Sequence, residues 1–139
     1  MKHTKLVFLC FIMQVVIAFT ARAQSPAGKN LHEIIALRGN NFNTLTDAQG
    51  MHVIQYKRLE NKDTVADLLY LEGFTCVKME SIRPAADKNK YLDSLTRQYA
   101  SAGFNSWRDK DSTVITIAMR DGYLDITYFS AAYYKKISH

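Results

Sequence analysis

Beyond residue 23 the chain carries one thiol, Cys76, and three imidazoles, those of His32, His52 and His139. Nucleophilic catalysis needs a nucleophile and a base within hydrogen-bond reach, so Cys76 with His52 is the pair to consider. This pair would require neighbouring strands in the right register, which the sequence does not establish. A buried, unreactive thiol is the simpler interpretation, and an exposed thiol that forms an intermolecular disulfide is the alternative. We therefore predict no catalytic residue.

The sequence contains none of the common spacings that bind metals or nucleotides. Its His, Cys and carboxylate residues do not form H-x-x-x-H, C-x-x-C or D-x-D-x-D-G patterns. Asp109 and Asp111 lie in a connecting segment, where acidic side chains are usually only solvated. The glycines are scattered and form no phosphate-binding loop. We predict neither a metal site nor a cofactor.

Aromatic residues are the stronger functional signal, because they gather in the last third of the chain. Exposed Tyr and Trp often anchor ligands, since they bury a large area at a low cost in entropy. Burial in the core is the competing explanation at each position, and a frayed basic tail is the competing explanation at the C-terminus. The candidate binding face comprises Trp107, Tyr123, Phe129, Tyr133 and Tyr134.

Residues 1–23 have the order of a secretory signal peptide. Lys2 and Lys5 precede an apolar run over residues 6–19, and Ala21-Arg22-Ala23 supplies small residues for cleavage. The apolar run is short of the roughly 20 residues that a membrane-spanning helix needs. We expect cleavage after Ala23, export to the periplasm or the cell exterior, and no integral membrane segment in the mature protein.

Removal of the signal peptide changes the composition that matters. The 139-residue chain has a formal charge of +5, and loss of Lys2, Lys5 and Arg22 leaves 116 residues with a charge of +2. The remaining basic residues alternate with acidic ones, whereas a nucleic-acid-binding protein concentrates them on one surface. Cys10 also leaves, so no intramolecular disulfide can form. We therefore expect one domain that does not bind nucleic acid.

The elements that would position the aromatic residues follow from periodicity and turn chemistry. Residues 24–30 suggest a flexible leader, and residues 31–139 a single α+β domain. A short helix beginning at Leu31 ends at Gly39, and a longer helix over 87–102 has Asp87 as its predicted N-cap. Its apolar stripe is Tyr91, Leu92, Leu95 and Tyr99. Strands are predicted over residues 51–58, 64–72, 75–82, 113–120 and 123–130.

The last two strands form the most specific structural prediction. Asp121-Gly122 favours a two-residue hairpin turn, which pairs Met119 with Leu124, Ile117 with Ile126, and Ile115 with Tyr128. These pairs share one face. A shift of one residue would turn the apolar set outward, so turn and pattern support the same register. Tyr123 and Phe129 then point to the opposite face, which is a ligand surface if nothing covers it.

Residues 42–47 (FNTLTD) resemble residues 104–109 (FNSWRD) at an offset of 62. Each segment follows a helix and precedes a strand, so the chain could be a repeat of the form αβββαβββ. Chance similarity is the alternative, because Asn and Asp suit turns in any fold. In both cases the element order predicts an α+β fold, with one short and one longer helix packed on one face of a largely antiparallel sheet.

The combination of leader, short helix, three strands including Cys76, second helix and final hairpin resembles small exported proteins of Bacteroidota. The resemblance implies an exported location and a similar fold, but no functional residue. With exposed aromatics expected and converging catalytic groups absent, we predict a non-enzymatic binding or interaction module. An inhibitor or immunity-type protein is its sharpest form. A structural accessory of an envelope or surface assembly is the alternative, and a small hydrolase is less favoured.

Overall fold

The computed structural model describes residues 25–139, so the predicted signal peptide lies outside the described residues. This part of the chain is an α+β fold with one eight-stranded sheet, which confirms the predicted fold class. Its helices are α1 (Leu31–Arg38), α2 (Lys88–Gln98) and α3 (Ala131–Ile137), with a 3-10 turn at Ala85–Asp87. The strands are β1 (Asn43–Thr46), β2 (His52–Glu60), β3 (Asp63–Glu72), β4 (Thr75–Pro84), β5 (Ala100–Gly103), β6 (Ser106–Arg108), β7 (Val114–Arg120) and β8 (Tyr123–Phe129). In residues 25–139 no helix has the length and apolar character to cross a bilayer.

The sheet is antiparallel throughout, in the order β1-β2-β3-β4-β8-β7-β6-β5. Each half follows a helix and proceeds from an outer strand to the centre, where β4 pairs with β8. Each half is therefore an αββββ unit, with one strand more than the αβββ unit of the possible repeat. The additional strands, β1, β5 and β6, lie towards the edges of the sheet. Each has only three or four residues, which are too few to show a periodicity in the sequence.

The predicted register of the β7–β8 hairpin is confirmed. Met119 pairs with Leu124, and the two further predicted pairs follow along the strands. Asp121 and Gly122 have φ values of 50° and 81°, as a turn of this kind requires of both central residues. This hairpin sets which side chains of β8 face the helices.

Both α1 and α2 pack on the same face of the sheet, as predicted. Ile34 of α1 packs against β2, β3 and β4, and Leu95 of α2 packs against β6, β7 and β8. Tyr128 on β8 contacts both clusters. The stripe predicted for the longer helix lies in the second cluster, with Tyr91, Leu92 and Tyr99 partly buried. We call this side of the sheet the helix face.

The ends of the helices differ from the prediction. The second helix ends at Gln98, because Ala100–Gly103 pairs with β6 as strand β5. Asp87 precedes this helix, but its side chain makes no capping hydrogen bond. Helix α1 has a reciprocal cap at its start: the Asn30 side chain accepts from the Glu33 amide, and the Glu33 side chain accepts from the Asn30 amide. This reciprocal capping fixes the start of helix α1.

Residues 25–30, which we predicted to be part of a flexible leader, are hydrogen-bonded to the chain around the start of β4. The Gly28 amide donates to the Cys76 carbonyl at 2.7 Å, and the Cys76 amide donates to the Lys29 carbonyl at 2.9 Å. Leu31 adds a 2.7 Å bond to the Phe74 carbonyl, and Pro26 is buried. The segment thus runs alongside the start of β4 and covers Cys76. Gln24, the other residue of the predicted leader, is outside the described range.

The two similar hexapeptides end in turns of the same geometry. Asp47 accepts the amides of Gln49 and Met51 at 2.9 and 2.8 Å. Asp109 accepts the amides two and four residues later, both at 2.9 Å. The two segments differ at their first residue: Phe42 packs on the core, whereas Phe104 is 95% exposed at the β5–β6 turn. Duplication of the unit stays a prediction.

Candidate binding surface on the open face of the sheet

The structure does not bring Cys76 and His52 together. Leu71 of β3 pairs with His52 on one side and with Cys76 on the other, so a whole strand separates the two residues. Cys76 is 0% exposed, and burial raises the pKa of its thiol to about 12. This environment suits an unreactive core thiol, because the thiolate is the nucleophilic form.

The described residues contain no group of three His, Cys, Asp or Glu side chains that could hold a metal ion. An open depression on the solvent side of α2 offers no nucleophile with an imidazole base. It is lined by Lys90, Asp93, Ser94, Arg97 and Gln98.

The structure divides the predicted aromatic face into two sides. Trp107 is only 6% exposed and packs on the helix face with Leu95 and Ile115, so its inclusion in a binding face was wrong. Tyr123 and Phe129 lie on the opposite side of the sheet, as the hairpin register predicted. Tyr133 and Tyr134 belong to α3, not to a frayed tail.

We call the side of the sheet opposite α1 and α2 the open face. Tyr134 packs against Phe129 with ring centroids 5.7 Å apart, and Lys136 bonds to Glu72 at 2.8 Å. Helix α3 therefore covers the end of the open face near Phe129. Within residues 25–139 the other end is uncovered, since Tyr123 is 56% exposed and Leu59 is 75% exposed.

The uncovered end has an apolar surface with small residues at its centre. Strand register places Ala66, Ile82, Asp125 and Ala118 in one continuous row across β3, β4, β8 and β7. Ala118 is exposed, and Ala66 and Ile82 are half-buried. Leu59 and Tyr123 both lie on one side of this row, in the neighbouring row towards the β7–β8 turn. The open-face patch consists of Leu59, Ala66, Leu68, Ile82, Ala118 and Tyr123.

Glu80 lies beside the patch, in the next row of the open face. It is 8% exposed and accepts hydrogen bonds from the Tyr70 hydroxyl at 2.7 Å and from Lys78 at 2.9 Å. The Lys78 ammonium lies 3.7 Å from the centre of the Tyr70 ring. Burial, followed by the effect of Glu80, raises the pKa of Tyr70. The three side chains satisfy one another and leave little charge for a ligand.

Asp125 is the other acid of this region, and its contacts are weaker. It is 5% exposed, yet its Oδ1 receives only the Thr127 hydroxyl at 3.3 Å, and its Oδ2 lies 3.5 Å from Arg120. Burial raises the pKa of Asp125, and the nearby charge of Glu80 raises it further. The Arg120 side chain is 66% exposed, so the guanidinium that faces Asp125 is largely in solvent.

The helix face contains a buried ion network that the sequence did not reveal. Asp67, 2% exposed, accepts from Ser81 at 2.6 Å, Arg38 at 2.7 Å and Arg58 at 2.6 Å. Burial alone would raise the pKa of Asp67, but the Ser81 hydrogen bond and the charges of Arg58 and Arg38 outweigh burial and lower it. Such a saturated network is typical of a structural contact, since every strong donor is already used.

No protein-family model, curated protein or solved structure matches the chain. The two faces of the sheet differ in the groups that they present. On the helix face, the charged groups of the ion network are paired. On the open face, an apolar patch is exposed with a weakly satisfied carboxylate inside it.

Proposed function

We propose that the protein is an exported, non-enzymatic binding module that docks a partner protein on the open-face patch. The observation that carries the proposal is the unequal cover of the two sheet faces: α1 and α2 bury the helix face, whereas α3 covers only one end of the open face and leaves the patch exposed. An apolar surface across several strands is an unusual feature for a monomer to expose, and such surfaces often mark interaction sites.

The shape of the patch supports a protein ligand. Neighbouring strands are about 4.8 Å apart, so the patch extends roughly 19 Å from β2 to β7. Its small central residues, Ala66 and Ala118, leave room for a partner's side chains beside the taller Leu59 and Tyr123. Tyr123 also offers a large aromatic side chain, a residue type enriched among the energetically important residues of interfaces.

Charge indicates the chemistry of the partner. The acids on the strands beneath and beside the patch, Glu80 and Asp125, are nearly fully buried. The strand residues that border the patch and expose their charges are Lys57 and Arg120. We infer a partner surface that is apolar at its centre and acidic at its margin, because complementary charges speed encounter and exclude wrong partners.

A photo-cross-linking amino acid tests the location of the interface. Placed at Ala118 it lies on the patch, and placed at Leu37, 52% exposed on α1, it lies on the far side of the sheet. In the producing cells we expect a defined adduct from position 118 and a weaker one, or none, from position 37. An adduct from position 37 alone, or none from position 118, would contradict the proposal.

The identity of the adduct would also specify the function. Loss of an enzyme's activity upon binding would indicate an inhibitor or immunity-type protein. Recovery of a multisubunit envelope complex would indicate a structural accessory.

A further inference from the structure

Two aspartates are buried in the sheet, one on each face, and their surroundings differ. Asp67 on the helix face has three donors within 2.7 Å, from Ser81, Arg38 and Arg58. Asp125 on the open face has its two described contacts at 3.3 and 3.5 Å. Within residues 25–139 no fully buried side-chain oxygen or nitrogen lacks a partner, so Asp125 is weakly bonded, not unbonded. A carboxylate held by distant donors is less well stabilised than one held by close, charged donors.

Asp125 lies on the open face, in the same row as the patch residues, although only 5% of it is exposed. Its row neighbours are Ile82 on β4 and Ala118 on β7, and the methyl group of Ala118 gives little cover. The Arg120 side chain that faces Oδ2 is 66% exposed and can turn away without leaving a packed position. A partner that covers the patch would remove the remaining water from Asp125, so it must bring a donor.

The charged groups around Asp125 favour a cationic donor over a neutral one. Glu80 and Lys78 approach from β4 and Arg120 from β7, with the hydroxyl of Thr127 beside it on β8. Lys78 is already bonded to Glu80 at 2.9 Å. If Arg120 leaves, a cationic side chain of the partner replaces the positive charge that Arg120 supplied and keeps Asp125 ionised, since a charge-assisted hydrogen bond is stronger than a neutral one.

We propose that Asp125 is the specificity-determining acceptor of the patch, and that it binds a lysine or arginine side chain of the partner in the place of Arg120. This inference rests on the proposed function. Arg120 then becomes available to the acidic margin of the same partner. The partner surface inferred above then carries one basic residue among its apolar central side chains, and its rim is acidic.

The test uses the protein recovered by cross-linking from position 118 as the ligand, and isothermal titration calorimetry as the measurement. We expect Asp125→Asn to weaken binding at least tenfold, and Asp93→Asn, which alters an exposed acid of α2 on the other side of the sheet, to leave it within twofold. A double-mutant cycle with each basic residue of the partner's interface should give one strong coupling, of tenfold or more, to Asp125. The unfolding midpoint of free Asp125→Asn should not fall, so weaker binding cannot be attributed to misfolding.

The outcomes separate the two proposals. If Tyr123→Ala weakens binding but Asp125→Asn leaves it within twofold, the patch is the interface and the role of Asp125 is wrong. The role is also wrong if the cycle shows no coupling to any basic residue. If neither variant weakens binding, the docking surface itself is wrong, and the inference fails with it.

Discussion

Arg38, the last residue of α1, donates a 2.7 Å hydrogen bond to Asp67 of β3 and so fastens the first helix to the sheet. The same carboxylate receives Ser81 from β4 and Arg58 from β2. One buried group thereby joins four elements of the helix face. Removing it would leave the Arg38 guanidinium without this counter-charge and leave Arg58 paired with Glu60 alone.

Asp67→Asn should lower the free energy of unfolding by about 2 kcal/mol, the usual value for hydrogen bonds to a charged group, because the two guanidinium groups are 26% and 40% exposed and keep contact with solvent. Urea denaturation at pH 7 measures this change. Asp63→Asn, an exposed position on the same strand, is the matched control and should stay within about 0.5 kcal/mol of the unaltered protein. Equal effects of the two substitutions would show that the network does not stabilise the fold.

The stabilising effect of Asp67 should depend on pH. Its folded-state pKa is lowered, so its contribution is fully present above the unfolded value near 3.8 and is lost as the pH falls through the folded value. The difference in stability between Asp67→Asn and the unaltered protein should therefore shrink below about pH 4. A constant difference from pH 7 to pH 3 would contradict this assignment.

Asp125 should show the opposite sign. Its folded-state pKa is raised, so the folded protein holds this proton more tightly, and stability falls as the pH rises from about 3.8 through the folded value. Asp125→Asn removes this loss, and at pH 7 it should stabilise the free protein by up to about 1 kcal/mol. Thermal unfolding of both proteins at pH 3.5 and pH 7 measures this change in stability. If the variant had the lower midpoint at pH 7, ionised Asp125 would not be destabilising in the folded protein.

Cys76 should be unreactive in the folded protein. Its side chain is fully buried, and burial raises its thiol pKa to about 12, so the thiolate is scarce at pH 8. An aromatic disulfide reagent should label it only in denaturant, and the native protein should remain free of intermolecular disulfides under oxidising conditions. Stoichiometric labelling within seconds in native buffer would show that the segment covering Cys76 opens readily.

The segment before α1 should be protected from solvent exchange. The Gly28 amide is bonded to Cys76 and the Leu31 amide to Phe74, both at 2.7 Å. In hydrogen-exchange measurements these two amides should exchange far more slowly than an unstructured chain. Exchange of both at the unstructured rate would restore the interpretation of a flexible leader.

The parts of the fold that the sequence predicts are those in which two local signals agree. The β7–β8 hairpin combines a turn dipeptide with alternating apolar residues, so its register followed from Ile117, Ile126 and the residues between them. The second helix was predicted too long, because Ala100–Gly103 has no strong preference and becomes a strand only by pairing with β6. Strands of three or four residues contain too few side chains to reveal which face they bury.

The candidate site was predicted in part. Tyr123 and Phe129 were placed on the open face by parity, and the structure agrees. The sequence did not predict that Trp107 is buried, because this residue lies in a three-residue strand and faces α2 only through its pairing with Ile115. The contrast between Asp67 and Asp125 depends on residues from separate strands, and no local pattern could have revealed it.

Docking of a partner on the open-face patch is tested by the affinity of Tyr123→Ala for the protein recovered by cross-linking at position 118. We predict that this variant binds about 30-fold more weakly, corresponding to roughly 2 kcal/mol for an aromatic anchor. Phe104→Ala, which removes a 95% exposed ring from the β5–β6 turn outside the patch, should bind within twofold of the unaltered protein. Unchanged affinity of Tyr123→Ala, or an equal loss in both variants, would contradict the account.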